Sequence, residues 1–197
     1  MNIQETIKNM EKRGFIVRYF ETDKEAAKYL GDTLTGKTVG IGGSVTIRDH
    51  GFYDAIKDNN NVLWHYVDTA PDTSTKAFHA PIYISSANAI AETGEIINID
   101  GRGNRAAAIM YDKELVYIIA GVNKIAPTIE DAMKRAREIA APLNAKRIGT
   151  KTPCVADGKC HDCNSPERIC NMAVTLMGRP LGIGRLEVIL VNQDMGY

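Results

Sequence analysis

Along the chain, apolar positions alternate between the period of a helix and that of a strand. Ile3, Ile7 and Met10, spaced by four and three, predict an amphipathic helix over residues 2–13, ended by Gly14. Phe15 to Phe20 reads as a strand, and a helix from about Thr22 to Leu30 turns Ala26, Ala27 and Leu30 to one side. Further strands are predicted at 38–41, 62–66, 82–84, 95–99, 115–120 and 186–191, with helices at about 46–57, 69–78, 86–92, 103–110 and 128–141. The helix at 128–141 carries the clearest stripe (Ile129, Ala132, Met133, Ala136, Ile139, Ala140), with Thr128 as N-cap and Pro142 past its end. Such alternation predicts an α/β protein with a mostly parallel sheet flanked by helices. Residues 143–180 break the pattern and are rich in Gly, Pro, Asp and Cys. With no internal repeat or linker in view, they read as a cysteine-rich insertion within one domain spanning 1–197.

Composition narrows the classes. A chain of 197 residues that is 44% hydrophobic can bury one sizeable core. Lys+Arg and Asp+Glu cancel at 24 each, so no sequence-wide basic field exists to hold a nucleic acid. No stretch is long and apolar enough to span a bilayer, and residues 1–18 lack the apolar core of a signal peptide, which predicts a cytoplasmic protein without a membrane partner. In that reducing setting four cysteines confined to 154–170 call for an explanation other than disulfides.

Two glycine motifs compete for a phosphate role. Gly31 to Thr38 fits G-x-x-x-x-G-K-[ST], but it follows a predicted helix and precedes a strand, the reverse of the order that converges amides at a helix start. It reads as a helix-to-strand turn. Gly40-Ile-Gly42-Gly43-Ser44-Val45-Thr46 has the right context, after a strand and before a helix. Val45 occupies the third glycine position of a dinucleotide site, and only Asp68 stands near the usual ribose-ligand distance, which disfavours a nicotinamide enzyme. The loop is therefore read as either an anion site, with the amides and the Ser44 and Thr46 hydroxyls as donors, or simply a tight turn.

A polar run from Asn88 through Glu92, Asn98 and Asp100 to Arg102, Asn104 and Arg105 supplies further candidates. Glu92, beside a glycine turn, is a candidate acid, base or nucleophile, or a turn cap. Arg102 and Arg105 form a candidate fork for an anionic group. The pattern Cys154-x5-Cys160-x2-Cys163-x6-Cys170 places four soft donors in a loop-rich stretch. Three closely spaced cysteines and one outlier lean toward an iron–sulfur cluster; structural zinc more often shows two tight pairs, and unligated thiols are the third reading. His161 is a weaker candidate beside Cys160.

The stretch Ser86 to Arg105, followed by Gly121-Val-Asn123-Lys124-Ile125, resembles the lactate-utilisation (LUD) family. Gly42 to Thr46, Thr152-Pro153-Cys154, Cys160 to Cys170 and the ending Val191 to Tyr197 resemble its cysteine-bearing branch, so the likeness covers nearly the whole chain. The resemblance implies the three-layer α/β/α fold of sugar-phosphate isomerases, CoA transferases and folate cyclo-ligases, with Gly42, Gly43, Ser44 and Thr46 at the ligand site. Glu92-Thr93-Gly94 is similar to the Glu-Asn-Gly turn that carries the nucleophile of CoA transferases, departing from it at Thr93. It also implies a link to lactate or related carboxylate metabolism, beside oxidoreductase subunits as partners. The paired ferredoxin motifs of larger relatives are missing from this sequence.

Two functional classes follow. One is a protein acting on an anionic metabolite (carboxylate, sugar phosphate or CoA ester), held by Gly42, Gly43, Ser44, Thr46, Asn88, Arg102, Asn104 and Arg105 with Glu92 as the chemical group. The other is a non-catalytic accessory or redox sensor, its cysteine site reporting metal status. A homo-oligomer fits both.

Overall fold

The computed structural model describes residues 2–197. Its strands in chain order are β1 (Ile16–Phe20), β2 (Thr38–Ile41), β3 (Asn61–Trp64), β4 (Ile82–Ser86), β5 (Ala89–Ala91), β6 (Ile96–Asp100), β7 (Lys113–Gly121), β8 (Ile125–Ala126), β9 (Met172–Leu176) and β10 (Ile183–Val191). Apolar runs such as Val188–Val191 and Val116–Ala120 have both faces buried, as strands of a covered parallel sheet must. They form the middle of a six-stranded sheet of order β1-β10-β7-β4-β2-β3, in which every pairing is parallel.

Helices cover both faces, giving three α/β/α layers. Helix α1 is Ile3–Lys12, α2 Asp23–Thr33, α3 Val45–Asp49, α4 Phe52–Ile56, α5 Thr73–His79 and α6 Asn104–Ala108. On one face Ala26 and Leu30 of α2, Ile47 of α3 and Phe52 and Ile56 of α4 pack on Val39, Ile41, Ile84 and Ile189. On the other, Met10 of α1 and Ala108 of α6 join Tyr83, Val116, Ile118 and Val188. Local chemistry fixes several ends: Asn2 caps α1, and Thr22 with Glu25 forms a capping box on α2. A second sheet of order β8-β5-β6-β9 lies over this second face, and its outer side packs on Ala132 of α7 (Ile129–Arg135) and on Ala136 just beyond it.

Three sequence expectations need correction. The helix predicted at 86–92 is instead the end of β4 and the strand β5. Ala89, Ile90 and Ala91 are all buried, with Ile90 facing the main core and the alanines facing α7, and a short apolar run buried on both sides has no period to read. The helix predicted over 46–57 is broken into α3 and α4 by Gly51, which sits in the left-handed region at φ 72°. Pro142 does not follow a helix end: α7 continues through a π-helical turn at Ala136–Ala140 into α8 (Ala141–Ile148), stopping at Gly149. A proline there clashes with the carbonyl four residues earlier and lacks an N–H, and the widened turn just before it accommodates both defects. The segment 143–180 accordingly contains most of α8, a short helix α9 (Pro153–Asp157) and strand β9, which pairs antiparallel with β6.

One close approach ties the second face together. A Cβ built at Gly40 of β2 would lie 2.0 Å from the Ala77 carbonyl oxygen of α5 and 3.0 Å from the Tyr83 ring. Gly40→Ala should therefore force backbone apart and cost about 3 kcal/mol, in the upper range for overpacking. For a chain of this size that loss lowers the melting temperature by roughly 6–12 °C, measured by calorimetry. An unchanged melting temperature would contradict the packing of α5 on β2.

Candidate functional site

In the six-stranded sheet the chain steps from β2 outward to β3, then returns past β2 to β4 and continues the other way. The crevice beyond the carboxyl ends of β2 and β4 is thus the switch point at which open α/β sheets bind ligands. A cleft of about 680 Å³ opens there. Its walls are loops leaving the strand ends: Gly43–Thr46 after β2, His65 and Tyr66 after β3, Ser86–Asn88 after β4 and Lys124 after β7.

Seven sequence-predicted residues line this cleft: Gly43, Ser44, Thr46, Asn88, Arg102, Asn104 and Arg105. Gly42 lies just behind it, where an added Cβ would sit 3.0 Å from the Tyr83 hydroxyl and 3.4 Å from Arg105 Cγ. Gly43 faces His65 and Tyr66 at 3.4–3.6 Å from the same hypothetical atom, so a larger residue there fills the cleft. Ser44 Oγ accepts from the Ile47 amide at 3.2 Å and so caps α3, a helix of only five residues with little dipole to offer. Asn88 is a positioning residue: its Oδ1 accepts from the Ile99 amide (2.7 Å) and from Arg105 Nη2 (3.2 Å). Arg105 also donates to the Ile99 carbonyl and faces Asp100 at 3.6 Å.

Glu92 is placed elsewhere. It follows β5, its amide donating to the Ala126 carbonyl (2.8 Å) and its carbonyl accepting from Asn9 of α1 (2.9 Å). Four residue steps along β5 separate it from Asn88, roughly 13 Å at the usual rise. The Glu92-Thr93-Gly94 turn seats on α1, and Gly94 is required there twice over: its φ is positive at 99°, and a Cβ would meet the Asn9 backbone at 2.8 Å.

Residues that the sequence reading passed over complete the cleft, above all Lys124. Its Nζ donates to Thr46 Oγ1 (3.0 Å), Ser86 Oγ (2.9 Å) and the Ala87 carbonyl (3.0 Å). The side chain is buried, its three hydrogen-bond partners are all neutral oxygens, and Arg135 and Arg105 stand nearby. Burial first, then the two guanidinium groups, pull its pKa down to about 7. Arg135 is itself fixed by the carbonyls of Asn123 (3.0 Å) and Asn88 (2.6 Å). Arg147 of α8 lies 5.7 Å from the Tyr66 ring centre. Burial, Arg102 and Arg147 lower the pKa of His65, which stays neutral near pH 7. The signal available in the sequence was a lysine three residues past the run Leu115–Gly121, which carries no charge, at the end where ligands bind.

The charge inventory is one-sided. Arg102, Arg105, Lys124 and Arg147 line the cleft against one carboxylate, Asp100. That carboxylate is already committed: Oδ1 accepts from the Arg102 (3.1 Å) and Gly103 (3.0 Å) amides, and Oδ2 from the Ala106 amide (3.0 Å).

The four cysteines are half-buried, free of disulfides, and line one small cavity of about 20 Å³ against Ala141, Pro142 and Ala145 of α8. Arg168 donates to the Cys163 carbonyl (2.8 Å) and the Cys170 carbonyl (3.2 Å). His161 turns to Asp157, 2.9 Å away. Among the described residues, no three His, Cys, Asp or Glu side chains converge closely enough to hold a single metal ion. Ala141 and Ile169 line both this cavity and the cleft, which therefore lie back to back.

Fold and cleft together define a parallel α/β protein with a cationic crevice at the sheet's switch point. The LUD domain profile matches residues 3–191, and the chain belongs to the LUD domain family. A solved DUF162-family protein from Deinococcus radiodurans, DUF162 being the same family, superposes with a TM-score of 0.58 at 14% identity, over 96% of this chain and 95% of that one. No curated protein matches. Among the described residues, no helix is long and apolar enough to cross a membrane.

The depressed Lys124 pKa fixes a pH dependence of stability. The unfolded lysine, at its ordinary 10.5, binds a proton that the folded one has released above about 7, so stability rises with pH between those values. His65 is neutral throughout that range, and Tyr29, Tyr83 and Tyr117, all raised by burial, oppose the trend only near the unfolded tyrosine value of about 10. The melting temperature should climb from about pH 7.5 to 9.5, and climb less steeply in Lys124→Met, where Lys113, also lowered by burial, keeps part of the slope. Equal slopes in the two proteins would remove Lys124 as the buried cation.

Proposed function

We propose that this protein binds a small anionic metabolite, a carboxylate or a phosphorylated sugar, in the cleft at the switch point, and that it serves lactate or related carboxylate metabolism. The observation that carries the reading is the cation surplus of the cleft: Arg102, Arg105, Arg147 and Lys124 face one carboxylate whose oxygens are already engaged. An anion entering between them offsets the like-charge repulsion among the guanidinium groups. The Gly43–Thr46 loop shapes the entrance, and Asn88 holds Arg105 in position. The metabolic setting rests on membership of the LUD family.

For the four cysteines we favour an iron–sulfur cluster. Cys154, Cys160, Cys163 and Cys170 are the residues that would hold it, and four thiolates are the donor set that clusters take. All four line one small cavity, and the Arg168 guanidinium lies beside Cys170. A cluster supplies one-electron transfer, and here it would sit one layer of side chains, Ile169 and Ala141, from the cleft. Zinc is the competing metal, and it asks for four donors in mutual contact around one ion.

Thermal-shift titration with phosphate, lactate, pyruvate and fructose 6-phosphate tests the cleft. At least one should raise the melting temperature, by about 2.7 kcal/mol of apparent stability at a hundred times its Kd, and Gly43→Val should abolish the shift. No shift with any of them at millimolar concentration would overturn the reading. For the cysteines, anaerobic reconstitution with ferrous iron and sulfide should give visible absorbance that is lost when any one cysteine becomes serine. A colourless protein with stoichiometric zinc selects the other metal, and four rapidly alkylated thiols with neither metal bound would defeat both.

A further inference from the structure

The cation surplus explains why an anion enters the cleft and leaves unexplained why one of its cations is buried without a counter-ion. Arg102 and Arg147 meet the needs of an anion from the walls, whereas the Lys124 Nζ sits on the floor among two hydroxyls and a carbonyl. We propose that Lys124 is a nucleophile that forms an imine with the carbonyl carbon of an anionic aldehyde or ketone. This rests on the anion-binding reading of the cleft and adds the reacting group.

Its surroundings suit that role in three ways. No carboxylate lies among its hydrogen-bond partners; the charged groups nearest it are Arg105, held by Asp100, and Arg135, with Asp194 beyond it, so the field favours the neutral amine. A neutral amine has two protons and one lone pair, and two of its three partners can adapt. Ser86 Oγ and Thr46 Oγ1 are hydroxyls 3.3 Å apart and can donate as well as accept, unlike the Ala87 carbonyl. The site is also held rigidly. Thr46 Oγ1 donates to the Met195 carbonyl (3.3 Å), Asn123 Oδ1 accepts from the Met195 amide (3.1 Å), and Arg135 clamps the carbonyls of Asn88 and Asn123 on either side.

The step balances without an outside reagent. The Lys124 lone pair attacks the carbonyl carbon, the C–N bond forms as the C=O π bond breaks, and the nitrogen's proton passes through the Ser86 or Thr46 hydroxyl to the new alkoxide. Loss of that oxygen as water, with the second nitrogen proton, gives the imine. Arg102, Arg105 and Arg147 hold the anionic end of the substrate, which is either a carboxylate next to the carbonyl or a phosphate further along the chain. The resulting imine draws electrons from the neighbouring carbon and acidifies its protons, the chemistry needed for proton transfer or carbon–carbon cleavage beside a carbonyl.

The test is reductive trapping on the wild-type protein, with pyruvate in one arm and dihydroxyacetone phosphate in the other, each with borohydride. Intact-mass spectrometry and peptide mapping should show one reduced adduct on Lys124, in the pyruvate arm for a 2-oxo acid site or the phosphate arm for a sugar-phosphate site. The rate of trapping should reach its plateau near pH 7, where surface lysines still react slowly, and Lys124→Arg, which keeps a cation, should show no adduct. Thermal shift in the same samples separates the two claims. Stabilisation by either compound without an adduct overturns the imine and leaves the anion site standing, whereas neither stabilisation nor adduct overturns both. Adducts scattered over surface lysines, with Lys124 unmodified, also overturn the proposal.

Discussion

The ammonium of Lys124 is buried at the switch point of a parallel sheet, and its three hydrogen bonds go to neutral oxygens. A buried charge without a counter-ion works against folding, and such groups are retained where the chemistry needs them. Much of the surrounding architecture serves this group. β2 delivers Thr46, β4 delivers Ser86 and Ala87, and β7 delivers the lysine itself, so three adjacent strands must keep their register for the amine to find its partners. The chain's last residues close the arrangement, with Gly196 approaching Thr46 where a Cβ would lie 2.6 Å from Oγ1.

The relation between the two candidate centres follows from α8 and the residues before β9. Ala141 begins α8 and faces both the cleft and the cysteine cavity, and Ile169 precedes Cys170 and does the same. The π-helical turn that admits Pro142 sets where this wall stands, because it shifts the phase of the helix before α8 begins. The cysteine-lined cavity and the cleft therefore share one wall.

The fold class was legible in the sequence because its signals are local. Alternating periods marked β1, β2, β4, β7 and β10, and Thr22, Thr128 and Gly14 marked helix ends where the structure has them. What was not legible depended on tertiary context. Ala89–Ala91 gives no periodic signal because both faces are buried, and Met172–Leu176 became a strand only through its pairing with β6. For the site, the glycine loop and the Asn88 to Arg105 run pointed to the cleft by composition and context. Lys124 and Arg147 escaped because a lysine after an apolar strand and an arginine on a helix are ordinary in sequence; only the strand order shows that they face the same space. Glu92 shows the converse, a residue made conspicuous by its motif that the fold seats against α1, outside the cleft lining.

The central claim is that Lys124 is a buried amine that changes charge near neutral pH. Nuclear magnetic resonance of protein carrying labelled lysine side chains measures that directly, with Lys124→Arg assigning the resonance. The account predicts one lysine titrating at about 7. A Lys124 that titrates in the ordinary lysine range would contradict it.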